Sequence, residues 1–143
     1  MRHGFTLIEI LIVMSIVVIM AAVSFPFYNL FQGFSATEAV TFEIKENLRA
    51  AQIKARSGES NTNFGLYFSA GQYTLYQGAN YAGRTPSADQ SFSLPANINI
   101  AGAADINFTK NTGLPAAAVS LTVTNTDTQS ESAIAINSLG LIY

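Results

Sequence analysis

Residues 1–27 decide the fold, and they read MRHGFTLIEILIVMSIVVIMAAVSFPF. The apolar run from Phe5 to Phe27 contains four polar side chains, which are Thr6, Glu9, Ser15 and Ser24. A helix of this length rises roughly 34 Å, which is enough to cross a hydrocarbon core about 30 Å thick. Because a single segment in lipid must satisfy its own backbone hydrogen bonds, the run predicts a transmembrane helix over residues 5–27.

Basic residues around this run predict its orientation. Arg2 and His3 precede it, and the next basic residue is Lys45. The positive-inside tendency therefore places the N-terminus in the cytoplasm and the rest of the chain outside. Two alternatives share an apolar N-terminal segment: a secretory signal peptide cleaved near Ala22–Ser24, and an uncleaved signal anchor. The run is longer than the usual signal-peptide core of about 7–15 residues, which weighs against the first.

Glu9 is the residue that a plain anchor leaves unexplained. A carboxylate well inside a bilayer costs roughly 2.5–3.5 kcal/mol, so an ionisable group there indicates a function. A cut between Gly4 and Phe5 would expose an α-amine at the i−4 position, on the same helix face as Glu9. Three interpretations stay open: Glu9 pairs with its own amine, pairs with the amine of a neighbouring subunit, or is protonated.

The same residues carry a family resemblance. The leader Met1–Gly4, the following Phe5, the acid at Glu9 and the unbroken apolar helix together resemble the prepilin processing signal of type IV pilins and type II secretion pseudopilins. Pro26 stands where many members of that family bend the helix. The resemblance implies that a prepilin peptidase cuts after Gly4 and N-methylates Phe5. It also implies export and polymerisation, with the apolar helices packed at the filament centre.

That resemblance sets the expected partners and location. The partners would be other pilin or pseudopilin subunits, the prepilin peptidase, an inner-membrane assembly platform, and the lipid bilayer before assembly. The chain would cross the cytoplasmic membrane once, with its head outside. It would then enter a cell-surface or periplasmic filament.

Beyond the apolar run the helical pattern continues. Pro26 removes a backbone donor and its ring clashes with the preceding turn, so a bend is expected there. An apolar stripe at spacings of three and four then predicts an amphipathic helix, formed by Val40, Ile44, Leu48, Ala51 and Ala55. Ser57-Gly58 ends it, with Gly58 as the candidate C-terminal cap.

After Gly58 the apolar period changes to two, which predicts short strands. The alternating pairs and triplets are Phe64/Leu66/Phe68, Tyr73/Leu75, Phe92/Leu94, Ile98/Ile100, Ile106/Phe108, Val119/Leu121/Val123 and Ile134/Ile136. Residues 78–90 are predicted to form a surface loop. Residues 112–115 and 125–128 are predicted to be hairpin connections, and Gly140 a bulge or tight bend.

These elements predict an α+β fold, in which a long N-terminal helix packs on a small antiparallel sheet. The predicted segments are a leader at 1–4, a transmembrane or filament-core helix at 5–27, an amphipathic extension at 28–57, and a β-rich head at 58–143. Short connections between the strands favour antiparallel pairing.

The amino-acid composition argues against catalysis and against metal or cofactor binding. The chain has no cysteine and one histidine, His3, which lies in the leader. No nucleophile elbow, phosphate-binding glycine loop or zinc-binding motif occurs. The head carboxylates are scattered singly at Glu59, Asp89, Asp105, Asp127 and Glu131. We therefore expect no catalytic residues, no metal and no cofactor, and interpret these carboxylates as solvated.

Nucleic-acid binding is also not expected. From Ser57 to Tyr143 the chain has two basic residues, Arg84 and Lys110, against five acidic ones. Binding to DNA depends on several phosphate contacts from lysine and arginine, which this head lacks. Four tyrosines, Tyr67, Tyr73, Tyr76 and Tyr81, are compatible either with an adhesive surface or with cross-strand packing.

A looser resemblance concerns the head. Residues 47–56, the hairpin at 64–77, and the segments 106–113 and 134–140 resemble minor pilins and pseudopilins related to the general secretion H component. The chain lacks both the cysteine pair of many major pilins and an acidic cluster like the calcium loop of the major pseudopilin. The resemblance implies a minor pilin or pseudopilin that acts through assembly and has no enzymatic activity. Alternatives are a pseudopilus subunit for type II secretion or DNA uptake, and a signal-anchored extracytoplasmic binding domain.

Overall fold

The computed structural model describes the backbone of residues 5–143, and the side chains of residues 5–22 and 35–143. A single helix, α1 (Leu7–Arg56), occupies the first third of the chain. Its 50 residues correspond to a length of about 75 Å. Ser57 caps its C-terminus, and Gly58 follows in the left-handed conformation (φ 69°) with its N–H bonded to the Ala55 carbonyl. The predicted stop at Ser57-Gly58 is confirmed.

Seven strands follow α1 in the described part of the chain. They are β1 (Phe64–Ser69), β2 (Gln72–Gln77), β3 (Gln90–Ser93), β4 (Ile98–Gly102), β5 (Asp105–Phe108), β6 (Val119–Asn125) and β7 (Glu131–Ile136). Short 3₁₀ turns lie at Glu59–Asn61 and Pro86–Ala88. Each strand coincides with one of the predicted alternating segments, so the period-two pattern located all of them.

The strands form two sheets instead of one. Sheet 1 has four strands in the order β3-β2-β1-β5, and sheet 2 has three in the order β4-β6-β7. Every pairing is antiparallel. Leu66 is at the centre of sheet 1, because it pairs with Leu75 on one side and Ile106 on the other. The predicted α+β class is confirmed, and the division into two sheets is an addition to it.

The structure bears out the predicted connections between strands only in part. Residues 125–128 connect the paired strands β6 and β7, as predicted. The predicted hairpin at residues 112–115 is found only as a turn with an isolated antiparallel bridge between Phe108 and Pro115, because β5 and β6 belong to different sheets. That segment is a turn closed by Thr109 N–H on the Leu114 carbonyl (2.9 Å), and it carries the chain from sheet 1 to sheet 2. Gly140 (φ 79°) forms the predicted tight bend, after which Ile142 bridges back to Ile136.

The second half of α1 holds the two sheets together. It packs on β1 and β5 of sheet 1 and on β6 and β7 of sheet 2. The predicted stripe faces this contact: Val40 is 8% exposed, and Ile44, Leu48, Ala51 and Ala55 are fully buried. Burying one large aliphatic side chain is worth about 1.5–3 kcal/mol, whereas the exposed Glu46–Arg49 pair is worth a few tenths. Apolar burial therefore fixes α1 on the head.

Leu48 lies at the centre of this contact, so its truncation tests the packing. We predict that Leu48→Ala lowers the free energy of unfolding by about 2–5 kcal/mol, since it leaves a cavity between α1 and the sheets. Leu139→Ala removes the same atoms from a side chain that is 77% exposed, and is expected to change stability by at most about 0.5 kcal/mol. Urea unfolding of the full chain in detergent, followed by near-ultraviolet circular dichroism, measures both. Equal losses of unfolding free energy for the two variants would contradict the position of Leu48 at the centre of the contact between α1 and the sheets.

Candidate functional site

The first turns of α1 expose an apolar surface. Between Phe5 and Met20 every large apolar side chain leaves at least half of its surface exposed; they are Phe5, Leu7, Ile8, Ile10, Leu11, Ile12, Val13, Met14, Ile16, Val17, Val18, Ile19 and Met20. We call residues 5–22 the apolar arm. A continuous apolar surface of this extent is a binding surface for lipid or for other helices.

The arm begins with a capping box that the sequence reasoning missed. The Glu9 backbone N–H donates to Thr6 Oγ1 (3.3 Å), and the Thr6 backbone N–H donates to Glu9 Oε2 (3.5 Å). These two hydrogen bonds satisfy two of the backbone N–H groups that have no partner at the start of a helix. The signal was present in the sequence as Thr6-x-x-Glu9. A local role for Glu9 therefore exists alongside the predicted electrostatic one.

The capping geometry turns the Glu9 carboxylate towards the chain start. Its Oε2 lies 3.5 Å from the backbone nitrogen of Thr6, the residue that follows Phe5. An amine freed on Phe5 would therefore be one residue away from the atom that the carboxylate contacts. Pairing between the two groups stays a prediction.

Gly4 and the side chain of Pro26, two other predicted sites, fall outside what the structure describes. Gly4 lies in residues 1–4, so the cleavage position stays a prediction. Pro26 lies within α1, among residues 23–34, whose side chains are not described, and the expected bend there also stays a prediction.

No helical stretch among the described residues is both long enough and apolar enough to span a membrane. The predicted transmembrane segment extends to Phe27, past the described side chains of the arm. That segment stays a prediction.

Polar contacts fix α1 to the head at both ends of the apolar stripe. Near its start, Thr37 Oγ1 lies 2.6 Å from Ser130 Oγ, and both side chains are buried. Near its end, Gln52 Nε2 donates to the carbonyls of Gly113 (3.0 Å) and Gly140 (2.7 Å). Because these two glycines lie in different loops, one amide fixes both loops against the helix.

Tyr73 connects α1 to sheet 1. Its hydroxyl donates to Glu43 Oε1 (2.6 Å) and accepts from Asn47 Nδ2 (2.9 Å). Burial, and then the hydrogen bond to Glu43, raise the pKa of the Tyr73 phenol. Glu43 and Asn47 are one helical turn apart, so the phenol sets the rotation of α1 on the sheet.

The other face of sheet 1 is covered by residues 78–89. The Tyr81 ring stacks on Tyr67 with 3.8 Å between centroids, and the Arg84 guanidinium lies 3.8 Å above the centre of the Tyr81 ring. Arg84 Nε donates to Asp89 Oδ2 (2.7 Å). This loop is thus held by a stack of two rings and a cation, a contact that single-residue patterns could not predict.

Beneath the stack, Tyr76 is fully buried and donates its hydroxyl to Asp105 Oδ1 (2.6 Å). Burial, and then the hydrogen bond to Asp105, raise the pKa of the Tyr76 phenol. A Cβ on Gly65 would stand 2.7 Å from the Tyr76 ring, so glycine is required there. The other oxygen of Asp105 accepts from the Tyr81 backbone N–H (3.2 Å).

These contacts bear on two interpretations of the sequence. Asp89 is partly buried and Asp105 is exposed, but both carboxylates also accept hydrogen bonds that hold the loop at 78–89, so they are structural partners as well. Tyr73 and Tyr76 are buried, so the four tyrosines do not form one adhesive surface. Among the described residues no group of three or more histidine, aspartate or glutamate side chains is arranged to hold a metal ion.

The comparisons with known proteins agree with this geometry. Residues 1–25 match the prokaryotic N-terminal methylation motif. The fold matches the structure of EpsH, the minor pseudopilin of the type 2 secretion system of Vibrio cholerae, with a TM-score of 0.59 over 75% of this chain and 94% of that chain. The chain thus combines a prepilin-type methylation motif with a fold similar to that of a minor pseudopilin.

The motif match and the fold match support different statements. Sequence identity to EpsH is 11%, so that similarity describes the fold alone. The motif covers the leader and the whole arm. No curated protein matches the chain significantly.

We predict that the two buried phenols lose their protons at a higher pH than ordinary tyrosines do. The chain has six tyrosines, and an unperturbed phenol has a pKa of about 10. Since folding raises the pKa of Tyr73 and Tyr76, we expect both to stay protonated above about pH 10 until the chain unfolds. Absorbance at 295 nm during an alkaline titration measures this.

The raised pKa values also set the sign of the stability change. The stabilisation from these phenols is complete below about pH 10 and is lost as the pH rises through the folded-state values, because the unfolded chain releases its protons first. Tyr73→Phe and Tyr76→Phe should each remove one late-titrating phenol. If all six phenols ionised together near pH 10 in the folded protein, this would contradict the burial and hydrogen bonding of Tyr73 and Tyr76.

Proposed function

We propose that this chain is a structural subunit of a type IV pilus-like filament or a type II secretion pseudopilus. It is made as a precursor, cut after Gly4 and N-methylated on Phe5. The observation that carries the proposal is the position of the methylation motif, which includes the whole of the exposed apolar arm of α1. The same helix then packs on a head with the fold of a minor pseudopilin.

The two halves of α1 support assembly. The second half buries its stripe against its own head, whereas the arm offers apolar side chains around its whole circumference. A helix that is apolar on all sides is stable when it is surrounded by lipid or by other helices. Before assembly the partner is the bilayer; afterwards it is the arms of other pilin or pseudopilin subunits.

Location and accessory partners follow from this proposal. The chain crosses the cytoplasmic membrane once, with Arg2 and His3 inside and the head outside. A prepilin peptidase and an inner-membrane assembly platform act on it there. The head then becomes part of a cell-surface or periplasmic filament.

The similarity to EpsH favours a minor subunit of a secretion-type pseudopilus over a major pilin. The absence of cysteine agrees, since many major pilins close a loop with a cysteine pair. The head polar groups support a structural role and not a catalytic one. Asp89 and Asp105 are occupied in holding the loop at 78–89, and Glu43 is occupied in holding Tyr73.

Glu9 has two roles to separate, capping and charge pairing. Glu9→Gln keeps a side chain able to form the capping box but removes the charge, and Thr6→Ala removes the cap acceptor but keeps the charge. We predict normal cleavage for both variants. We expect at least about a tenfold lower fraction of Glu9→Gln in sheared filaments, because a neighbouring amine would then be buried without its counter-charge. Thr6→Ala is expected to assemble normally, at a cost of about 1 kcal/mol in helix stability.

Immunoblotting of sheared filaments against total membrane protein gives the incorporated fraction. Glu9→Leu, which removes both roles, serves as the reference and is expected to be excluded as strongly as Glu9→Gln. Normal incorporation of Glu9→Gln together with exclusion of Thr6→Ala would mean that Glu9 acts by capping alone. If the chain without any substitution were absent from every filament fraction, the proposed function would be rejected.

A further inference from the structure

Strand β7 forms one edge of sheet 2, and part of that edge is already covered by the chain itself. Tyr143 exchanges two backbone hydrogen bonds with Ala135, at 2.9 and 3.0 Å. The preceding Ile142 forms an antiparallel bridge to Ile136, and its side chain is buried in the core. The segment 141–143 therefore acts as a short added strand on one half of this edge.

The other half of the edge presents unpaired backbone groups. In an antiparallel strand, successive residues direct their N–H and C=O groups to opposite sides. Because Ala135 bonds outward, Ala133 and Glu131 also direct these groups outward, whereas Ser132 between them bonds to β6. Both outward residues are exposed, and their backbone groups have no partner among the described residues. Such an edge can pair with an extended chain.

An open recess lies next to the unpaired edge, between β7 and α1. It has a volume of about 380 Å³ and is lined by Glu38, Thr41, Phe42, Lys45 and Ser132. Phe42 is its large apolar member and is 64% exposed. Ser132 lies on the same face of sheet 2 as the buried Ile134, so a strand added to the edge would direct one side chain into the recess.

The two charges of the recess lie at different heights along α1. Glu38 and Lys45 are separated by a rise of about 10 Å, and neither forms an ion pair with the described residues. Glu38 lies at the end near Ser130, because the adjacent Thr37 contacts Ser130 at 2.6 Å. A strand that continues the direction of the segment 141–143 would therefore pass Lys45 first and Glu38 last. A base two residues after the side chain in the recess would reach the level of Glu38.

We propose that the unpaired edge at residues 131–133 binds an extended segment of a different protein, antiparallel to β7, with a tyrosine in the recess and a base two residues later. The segment's backbone hydrogen-bonds to Ala133 and Glu131. Its tyrosine ring packs on Phe42, and the hydroxyl accepts from the Lys45 ammonium. The inference concerns the head and goes beyond the proposed assembly of the arm.

The donor is a different protein because this chain has no strand to spare. Each alternating segment of the head is already paired within one of the two sheets, so a second copy offers no unpaired strand among its described residues. The segment 141–143 shows how a strand binds here, since Ile142 inserts into the core while Tyr143 pairs with β7. The proposed segment continues the same line along the edge.

Amide hydrogen exchange, followed by NMR on the full chain in detergent, tests the edge. Without a ligand, we expect Glu131 and Ala133 to exchange at least about tenfold faster than Ser132, whose N–H is bonded to β6. The probe is the peptide acetyl-Thr-Tyr-Thr-Lys-Thr-amide at about 2 mM. It is expected to slow exchange at Glu131 and Ala133 about threefold, as for a dissociation constant of about 1 mM, and to leave Ser132 unchanged. The same peptide with alanine in place of tyrosine should give no protection.

A matched pair of variants at one position shows whether the backbone donor is used. Ala133→Pro removes the outward N–H, which an edge strand tolerates, so the urea midpoint should stay close to that of the native chain. The peptide should then no longer protect Glu131. Ala133→Val keeps the N–H and should keep the protection. Two results would overturn the inference: no protection of the native chain, or protection that survives Ala133→Pro.

Photo-cross-linking in cells tests the identity of the occupant. Replacing Phe42 with p-benzoylphenylalanine keeps an aromatic ring in the recess. We expect a cross-link to a different protein, within a segment that carries a tyrosine and a base two residues later, and we expect Ala133→Pro to abolish it. The same replacement at Leu139, which is 77% exposed but does not line the recess, should not give this product. A cross-link to a second copy, or none at all, would overturn the inference.

Filament content is scored in the same cultures, which separates the two failures. A chain that enters filaments without the cross-link overturns this inference and leaves the proposed function standing. A chain that enters no filament contradicts the proposed function, whatever the cross-linking result.

Discussion

The structure depends on the burial of one face of α1 across two separate sheets. Sheet 1 and sheet 2 contact the same helix stripe, with Ile44 and Leu48 fully buried at its centre. Their apolar faces point towards α1, so the helix is the element that makes them one head. The small side chains of Ala51 and Ala55 let the backbone approach the strands closely. Apolar packing holds the helix on the sheets. Polar contacts, such as the hydrogen bonds from Gln52 to the loops at Gly113 and Gly140, then fix its orientation.

The buried stripe runs from Val40 to Ala55, whereas the side chains of the arm, residues 5–22, are exposed. One helix therefore has two environments, a stripe packed on the head and an exposed apolar arm. The chain cannot shield the arm in water at an acceptable free energy, so its stable states are those in which lipid or other arms surround it. This constraint links the fold to assembly. It also explains why an acid near the helix start, Glu9, needs a defined partner such as the Thr6 backbone.

Much of this architecture could be predicted from the sequence because it follows local periodicity. The buried stripe from Val40 to Ala55 and the positions of all strands are encoded in spacings of three to four, or of two. The order of the strands is set by distant pairings, such as Leu66 with Ile106, and no local pattern reveals it. The stack of Tyr67, Tyr81 and Arg84 is likewise formed by tertiary packing. The Thr6–Glu9 capping box, in contrast, has a local signature, Thr6-x-x-Glu9, and could be predicted from the sequence.

The central claim is that the apolar arm starts with a free, modified terminus and not with a leader. Mass spectrometry of the intact protein purified from membranes and from filaments measures this most directly. The account predicts a chain that begins at Phe5 and carries one N-methyl group. A mature protein that retains Met1, or one that begins near Phe25 after cleavage by a signal peptidase, would contradict it.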